Sequence, residues 1–415
     1  MNLYSFPRKR GYQWVFALYF LAILLLSRDT LPAMNLVGFA GSQVLTAVLT
    51  AGLGLVFLIY HRRQLKNILR DPRISLALVS AVLLLAPMAF KRDWQLMYFS
   101  ILFYILAGIF LSFFLDLKTA SRYYVVILSA LGLYSVLCTY VLRLLPDRGI
   151  LNVPIFSISS GVEFYNFGLA QVSLEYVKNR NFGIFREPGV YQFFLLLGLY
   201  LNNCRADWEK NSQLWTVNIL LALTMLSTFA TGGVLEMGLL AVFLFFDKKW
   251  YREKKARLIA CGLILLGIAG AAYIVITENG LYVDFIGMIT KFSDEESGLG
   301  RFDAIVTDLS VFLHHPILGD TVSNVLHAVA DNTTSTMVLY AFLGILGGSL
   351  HVAAWAALSW DKERGVFSNL FLLLILFMSF NTQNLSWNTI FWLFPMIALS
   401  QRGLPLLCSF FRKKS

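Results

Sequence analysis

The chain has 415 residues, 58% of them hydrophobic and only 14% charged, with a formal net charge of +10 and a mean hydropathy of +0.67. A soluble protein carries about 25% charged residues, so an ordinary soluble enzyme is excluded. The basic residues fall between apolar runs, so the basic balance says nothing about nucleic acid, and no nucleic-acid partner is expected.

Apolar runs recur at 12–27, 35–60, 74–90, 95–115, 123–145, 189–203, 214–229, 233–246, 257–277, 334–358, 368–380 and 390–408. Each is long enough, or nearly so, to cross a hydrocarbon layer of about 30 Å. None alternates with the period of a strand. Backbone in lipid must satisfy its own hydrogen bonds, so each run is expected to be a helix. The expected fold is an all-α polytopic integral membrane protein of about 12 transmembrane helices, one transmembrane domain over 1–415. Two variants also fit: 214–246 as a re-entrant hairpin, or 368–380 left out. The first run is followed by Arg28-Asp29 without a small-x-small cleavage site, so it reads as a retained helix.

Most Lys and Arg lie in 8–10, 61–73, 116–122, 204–212, 246–257, 361–364 and the tail from Arg402. Basic loops stay inside, so these segments are expected to be cytoplasmic, with both termini inside and an even number of crossings. The excess charge then meets anionic headgroups. The four cysteines, Cys138, Cys204, Cys261 and Cys408, fall in or at the inner ends of helices with no C-x-x-C spacing, which leaves no disulfide framework and no metal motif. No internal repeat is visible, which counts against an inverted-repeat transporter.

Two outer loops are long, 146–189 and 278–332, and a third, "NTQNLSWNT" (381–389), is short and polar. Long loops usually carry function. The first ends in "NFGIFREPGVYQ" (181–192). Pro188 suits the first turn of a helix, placing Glu187 near the N-cap and Arg186 beside outward-facing N–H groups, a setting that suits phosphate. The opposing reading is a stop signal with a capping or neutralising Glu187. In the second loop, Phe302, Ile305, Val306, Leu309, Phe312 and Leu313 form a helical stripe, with Asp303, Asp308 and Ser310 opposite. This piece is expected to lie in the interface plane, with Arg301 at its entrance and His314-His315 at its exit. "TGG" (231–233) reads as a tight turn and "SDEES" (293–297) as a solvated loop; Glu236 is an intramembrane carboxylate that lines a cavity or pairs with a neighbouring helix.

Three stretches, "FREPGVYQFFL" (185–195), "GRFDAIVTDLSVFLHHPILGD" (300–320) and "DNTTSTMVLYAFLGILGG" (331–348), resemble the O-antigen polymerase and ligase superfamily of bacterial inner membranes. They cover about a fifth of the chain, and the second is the most specific. The third is similar to the family's His-Asn helix entry followed by Gly-x-x-Gly, matched by Gly344 and Gly347. The resemblance implies a fold like that of GT-C glycosyltransferases. It also implies transfer of undecaprenyl-diphosphate-linked glycan on the periplasmic face, without metal or other cofactor. A polymerase extends the glycan onto another lipid-linked repeat unit; a ligase moves it onto lipid A core. The family's ligases carry His where this chain has Asp331, which favours the polymerase. A chain-length regulator protein is the further partner that a polymerase implies.

Lipid diphosphate is already a leaving group, so the chemistry needs charge stabilisation and an activated acceptor hydroxyl. Guanidinium forks suit charge stabilisation. Arg301 and Arg186 lead, with Arg180 and then Arg148 behind, each set against the plain alternative of snorkelling to headgroups. For the base the candidates are Glu187, His315, His314 and Asp331, with His327 weaker; solvated or capping roles compete, Asp331 being a good N-cap. Tyr165, Trp387 and Asn332 are candidates for contacting sugar, although interfacial belts also use aromatics. A transporter such as a polysaccharide-lipid flippase is the competing class, expected to line a path with charged residues inside helices.

Overall fold

The computed structural model describes residues 10–62, 69–141, 153–158, 162–166, 169–173, 179–277, 286, 295–329 and 333–403. The apolar runs are helical there: α1 (Arg10–Leu25), α2 (Leu31–His61), α3 (Pro72–Lys91), α4 (Leu96–Phe114), α5 (Leu117–Tyr140), α6 (Pro188–Cys204), α7 (Asn211–Ser227), α8 (Thr231–Asp247), α9 (Lys254–Thr277), α12 (Thr336–Ser359), α13 (Val366–Phe380) and α14 (Thr389–Ala398). Between α9 and α12 lie α10 (Glu295–His314) and α11 (Val322–Ala328). Among the described residues five helices are long and apolar enough to cross a membrane: Ala40–Tyr60, Pro72–Lys91, Leu96–Phe114, Leu117–Tyr140 and Thr336–Ser359. The protein is a helical membrane protein.

Helix α6 lies at the centre. Val190 to Asn202 is buried throughout, as expected for a helix apolar on all sides, and α5, α7 and α8 pack around it. Helices α4 and α14 approach closely at Gly108, where a Cβ would meet the Leu393 carbonyl and Met396.

Three expectations are corrected. The first long loop is not free of strands: β1 (Val153–Ile158), β2 (Val162–Asn166) and β3 (Gln171–Ser173) form an antiparallel meander in the order β1-β2-β3. Short runs such as "VEFYN" have the β-branched and aromatic character of strands, and Val172 with Ala170 packs on Cys138 of α5.

Second, α12 is not a straight span. Gly344 has φ 67°, ψ −168°, and a Cβ there would run into the Ile317 carbonyl, so only glycine fits. Thr336 Oγ1 and His351 Nε2 lie 3.4 Å apart, although 15 residues of straight helix would separate them by about 22 Å. The two halves fold on each other, with His351 buried against Phe391 at 4.8 Å. Gly38 breaks α2 with nearly the same backbone angles, φ 67°, ψ −178°. Third, Thr231-Gly232-Gly233 is the first turn of α8 rather than a tight turn between helices; the turn is Thr228–Ala230.

Contacts far apart in sequence gather one set of helix ends with the long loops. Thr30 bridges Phe185, Tyr140 Oη donates to the Asn179 carbonyl at 2.8 Å, and Asn388 Nδ2 reaches Asp29. Lys91 Nζ donates to the carbonyls of Leu318, Asp320 and Phe342 at 3.1, 2.7 and 2.7 Å, tying the turn after α10 to the break in α12. At the opposite face, buried Arg205 donates to the Leu358 and Trp360 carbonyls and to Tyr200 Oη, and stands 3.3 Å from Asp361.

Candidate anion site at the start of α6

The segment before α6 is locked residue by residue. Asn181 is buried and donates from Nδ2 to Ser135 Oγ and Ser227 Oγ, both at 2.9 Å, while its Oδ1 accepts from Gly183 N at 2.8 Å. Gly183 takes φ +57°, and a Cβ there would strike the Tyr191 ring. Phe185 is buried against Phe194, ring centroids 4.2 Å apart. Leu31 N donates to the Ile184 carbonyl at 2.8 Å, and Arg186 N to the Asp29 carbonyl at 3.1 Å. The chain entering α6 is thus stitched to the α1–α2 turn.

Pro188 stands in the first turn of α6, and Glu187 is its N-cap in an extended conformation with no side-chain capping bond. The carboxylate instead faces Arg186, with Nη1 3.2 Å from Oε1. Arg186 Nε lies 3.3 Å from Asp29 Oδ1 but without the alignment of a hydrogen bond. Asp29 is buried, and its Oδ2 accepts from Asn388 Nδ2 at 3.0 Å, the same amide donating to Ser27 Oγ at 3.2 Å. Arg28 joins from the same turn, its guanidinium 5.9 Å from the Trp387 ring. Burial pushes the Arg28 pKa down; Asp29 and Tyr104 counter this, and the like charge of Arg186 adds to it. Arg186 therefore faces a fixed carboxylate beside a helix start, with Arg28 next to that carboxylate's residue in the chain, a setting suited to an anion.

Neighbouring helix starts converge on the same region. Gln192, one turn into α6, accepts from Gly233 N at 2.7 Å and donates to Thr382 Oγ1 at 2.9 Å; Glu236 is buried on α8 nearby. Asn381 Oδ1 accepts from Ser335 N and Thr336 N at 3.1 and 2.9 Å, so the polar turn 381–389 caps α12. Gln383 Nε2 occupies the space that a side chain at Gly189 would fill.

Of the residues singled out in the sequence, the structure brings together Arg186, Glu187 and Trp387. Trp387 is not an open platform for sugar: it is buried and stacked on Phe342 at 5.1 Å. Arg180 donates from Nε and Nη2 to the carbonyls of Thr228 and Phe229, both at 3.0 Å, and so closes the end of α7. Arg301 is not at the entrance of its helix, because α10 begins at Glu295, which also takes part of 293–297 into helix. The Arg301 side chain lies outside the described residues, as do that of Tyr165 and all of Arg148, Asp331 and Asn332. His314 Nδ1 is 2.7 Å from the Ser310 carbonyl, His315 Nε2 is 3.9 Å from Asp320 Oδ2, and His327 is exposed on α11. On α10 the apolar stripe Phe302, Val306, Leu309 and Leu313 is exposed. Asp308 is buried and accepts from Thr334 Oγ1 at 2.5 Å.

Sequence reasoning missed Arg28, Asp29 and Asn388. The signal was present in "SRD" (27–29), a charged pair directly after an apolar run. Comparison with known protein families, with curated proteins and with solved structures finds no match.

Proposed function

We propose that this chain is a membrane glycosyltransferase that polymerises lipid-diphosphate-linked oligosaccharide repeat units, with about twelve helices and the long-loop face turned to the periplasm. The observation that carries the reading is the Arg186 guanidinium set against buried Asp29, with Arg28 beside it in the chain, at the start of α6. The resemblance of three stretches to the polymerase and ligase superfamily gives it its substrate. In the reaction, the bond from the sugar anomeric carbon to the lipid diphosphate breaks and a bond to the acceptor hydroxyl forms. The diphosphate leaves with the bonding pair, stabilised by Arg186 and Arg28, with Arg301 and Arg180 as the further candidates. The hydroxyl proton goes to a base, for which Glu187, His315, His314 and Asp331 are the candidates, and Tyr165 and Asn332 are candidate sugar contacts.

The glycine breaks in α2 and α12 favour a second reading, a transporter, since broken helices build many transport sites. Against it, Lys91 Nζ takes the Phe342 carbonyl and Asp320 N takes that of Ala341. Two of the carbonyls before the Gly344 break are thus already occupied. The test is a gel of surface polysaccharide from a deletion strain. Loss of a polymerase leaves a single repeat unit on the core, loss of a ligase leaves bare core, and an unchanged ladder contradicts both.

A further inference from the structure

The four charges at the start of α6, Arg28, Arg186, Asp29 and Glu187, balance to zero, so the site as it stands has no surplus charge for an anion. The two carboxylates are not equivalent. The Asp29 side chain is 6% exposed, is held by Asn388, and belongs to the residue whose carbonyl fixes Arg186 N. The Glu187 side chain is 46% exposed, makes no capping bond to the helix it precedes, and meets Arg186 at 3.2 Å. Returning Glu187 to water costs little, because ion pairs as exposed as this one are weak. Removing Asp29 would take the buried counter-charge from Arg186 and one of the two acceptors from the Asn388 amide.

We propose, on the basis of the diphosphate reading above, that Glu187 is an exchangeable counter-ion: it occupies the anion site at rest, and the incoming diphosphate displaces it from Arg186 while Asp29 stays. The vacated position is faced by Arg186 Nη1, on the residue next to the N-cap of α6, which carries no side-chain cap bond. The amide of Gln383 stands against Gly189, two residues further on. A phosphate there replaces one carboxylate with more charge and more acceptor oxygens. Arg186 and Arg28 thus remain oriented without substrate, and only an anion that outcompetes a carboxylate is admitted.

The test is equilibrium binding of farnesyl diphosphate and of inorganic pyrophosphate to the full-length purified protein. Because the exchange is at the headgroup, Glu187→Gln should tighten both probes by about threefold to tenfold, while Glu187→Asp, which keeps the charge, should stay near wild type. The ratio of the two affinities separates a lipid-borne from a free diphosphate, and either ratio supports the exchange if Gln tightens both. Binding by wild type with Glu187→Gln equal or weaker overturns the exchange and leaves the diphosphate reading standing. Binding of neither probe by wild type or by Glu187→Gln overturns the diphosphate reading itself.

Discussion

Arg186 and Arg205 are both arginines at an end of α6, and they live in opposite conditions. At the end away from the long loops, the Arg205 side chain is 1% exposed and its donors meet two backbone carbonyls, a tyrosine hydroxyl and a carboxylate. At the other end, the Arg186 side chain is 32% exposed and faces two carboxylates, one of them half in water. A guanidinium saturated by fixed acceptors holds helices together. One facing a replaceable partner is available for binding. The same residue type, at two ends of one helix, is structural in one place and a candidate for chemistry in the other.

The largest effect should come from Arg205→Ala, which strips the donor from Leu358, Trp360 and Asp361 at once. A loss of about 3 kcal/mol or more is expected, seen as poor recovery from membranes and a lower unfolding temperature in detergent. Arg186→Ala, which leaves Asp29 still bonded to Asn388, should lower that temperature less than Arg205→Ala does while reducing glycan transfer by about a hundredfold or more. If both variants unfold alike, the contrast between the two ends is lost. Lys91→Ala, which leaves three carbonyls without their donor, should cost about 2 kcal/mol and speed amide exchange or proteolysis at 316–322. A similar loss, about 1–3 kcal/mol, is expected for Gly344→Ala, whose Cβ meets the Ile317 carbonyl.

The smallest effect is a dependence on pH at the Arg205 end. Burial pushes the Asp361 carboxyl up, but the Glu363 amide and the guanidiniums of Arg205, Arg364 and Arg402 outweigh it, so its pKa lies below the ordinary value. A depressed carboxylate contributes stability above its unfolded pKa of about 3.9 and loses it as pH falls through the folded value. Thermal unfolding should therefore drop below about pH 4 in wild type, and Asp361→Asn should flatten that drop. An equal drop in the variant would rule out Asp361 as its source.

The helices were legible because long apolar runs have few alternatives in lipid, and the start of α6 because Pro188 and its neighbours act locally. The breaks at Gly38 and Gly344 were not, since glycine is common in membrane helices and nothing local marks which one turns left-handed. The β-meander was hidden because three-to-six-residue strands carry little pattern. Half of the anion site was legible as Arg186-Glu187. Its other half depends on pairing across the fold: Asn388 and Asp29 are 359 positions apart, and only packing of α14 beside the α1–α2 turn brings them together. Trp387 was read as a surface aromatic because its polar neighbours Ser386 and Asn388 look like loop. In fact, those neighbours are buried hydrogen-bonding groups.

The decisive measurement for Arg186 as the diphosphate-binding residue is reconstitution of the purified protein in liposomes with lipid-diphosphate-linked repeat units, the product being resolved by length. Wild type should give a ladder, and Arg186→Ala should leave unextended repeat units at matched, folded protein levels. A full ladder from Arg186→Ala would contradict that role.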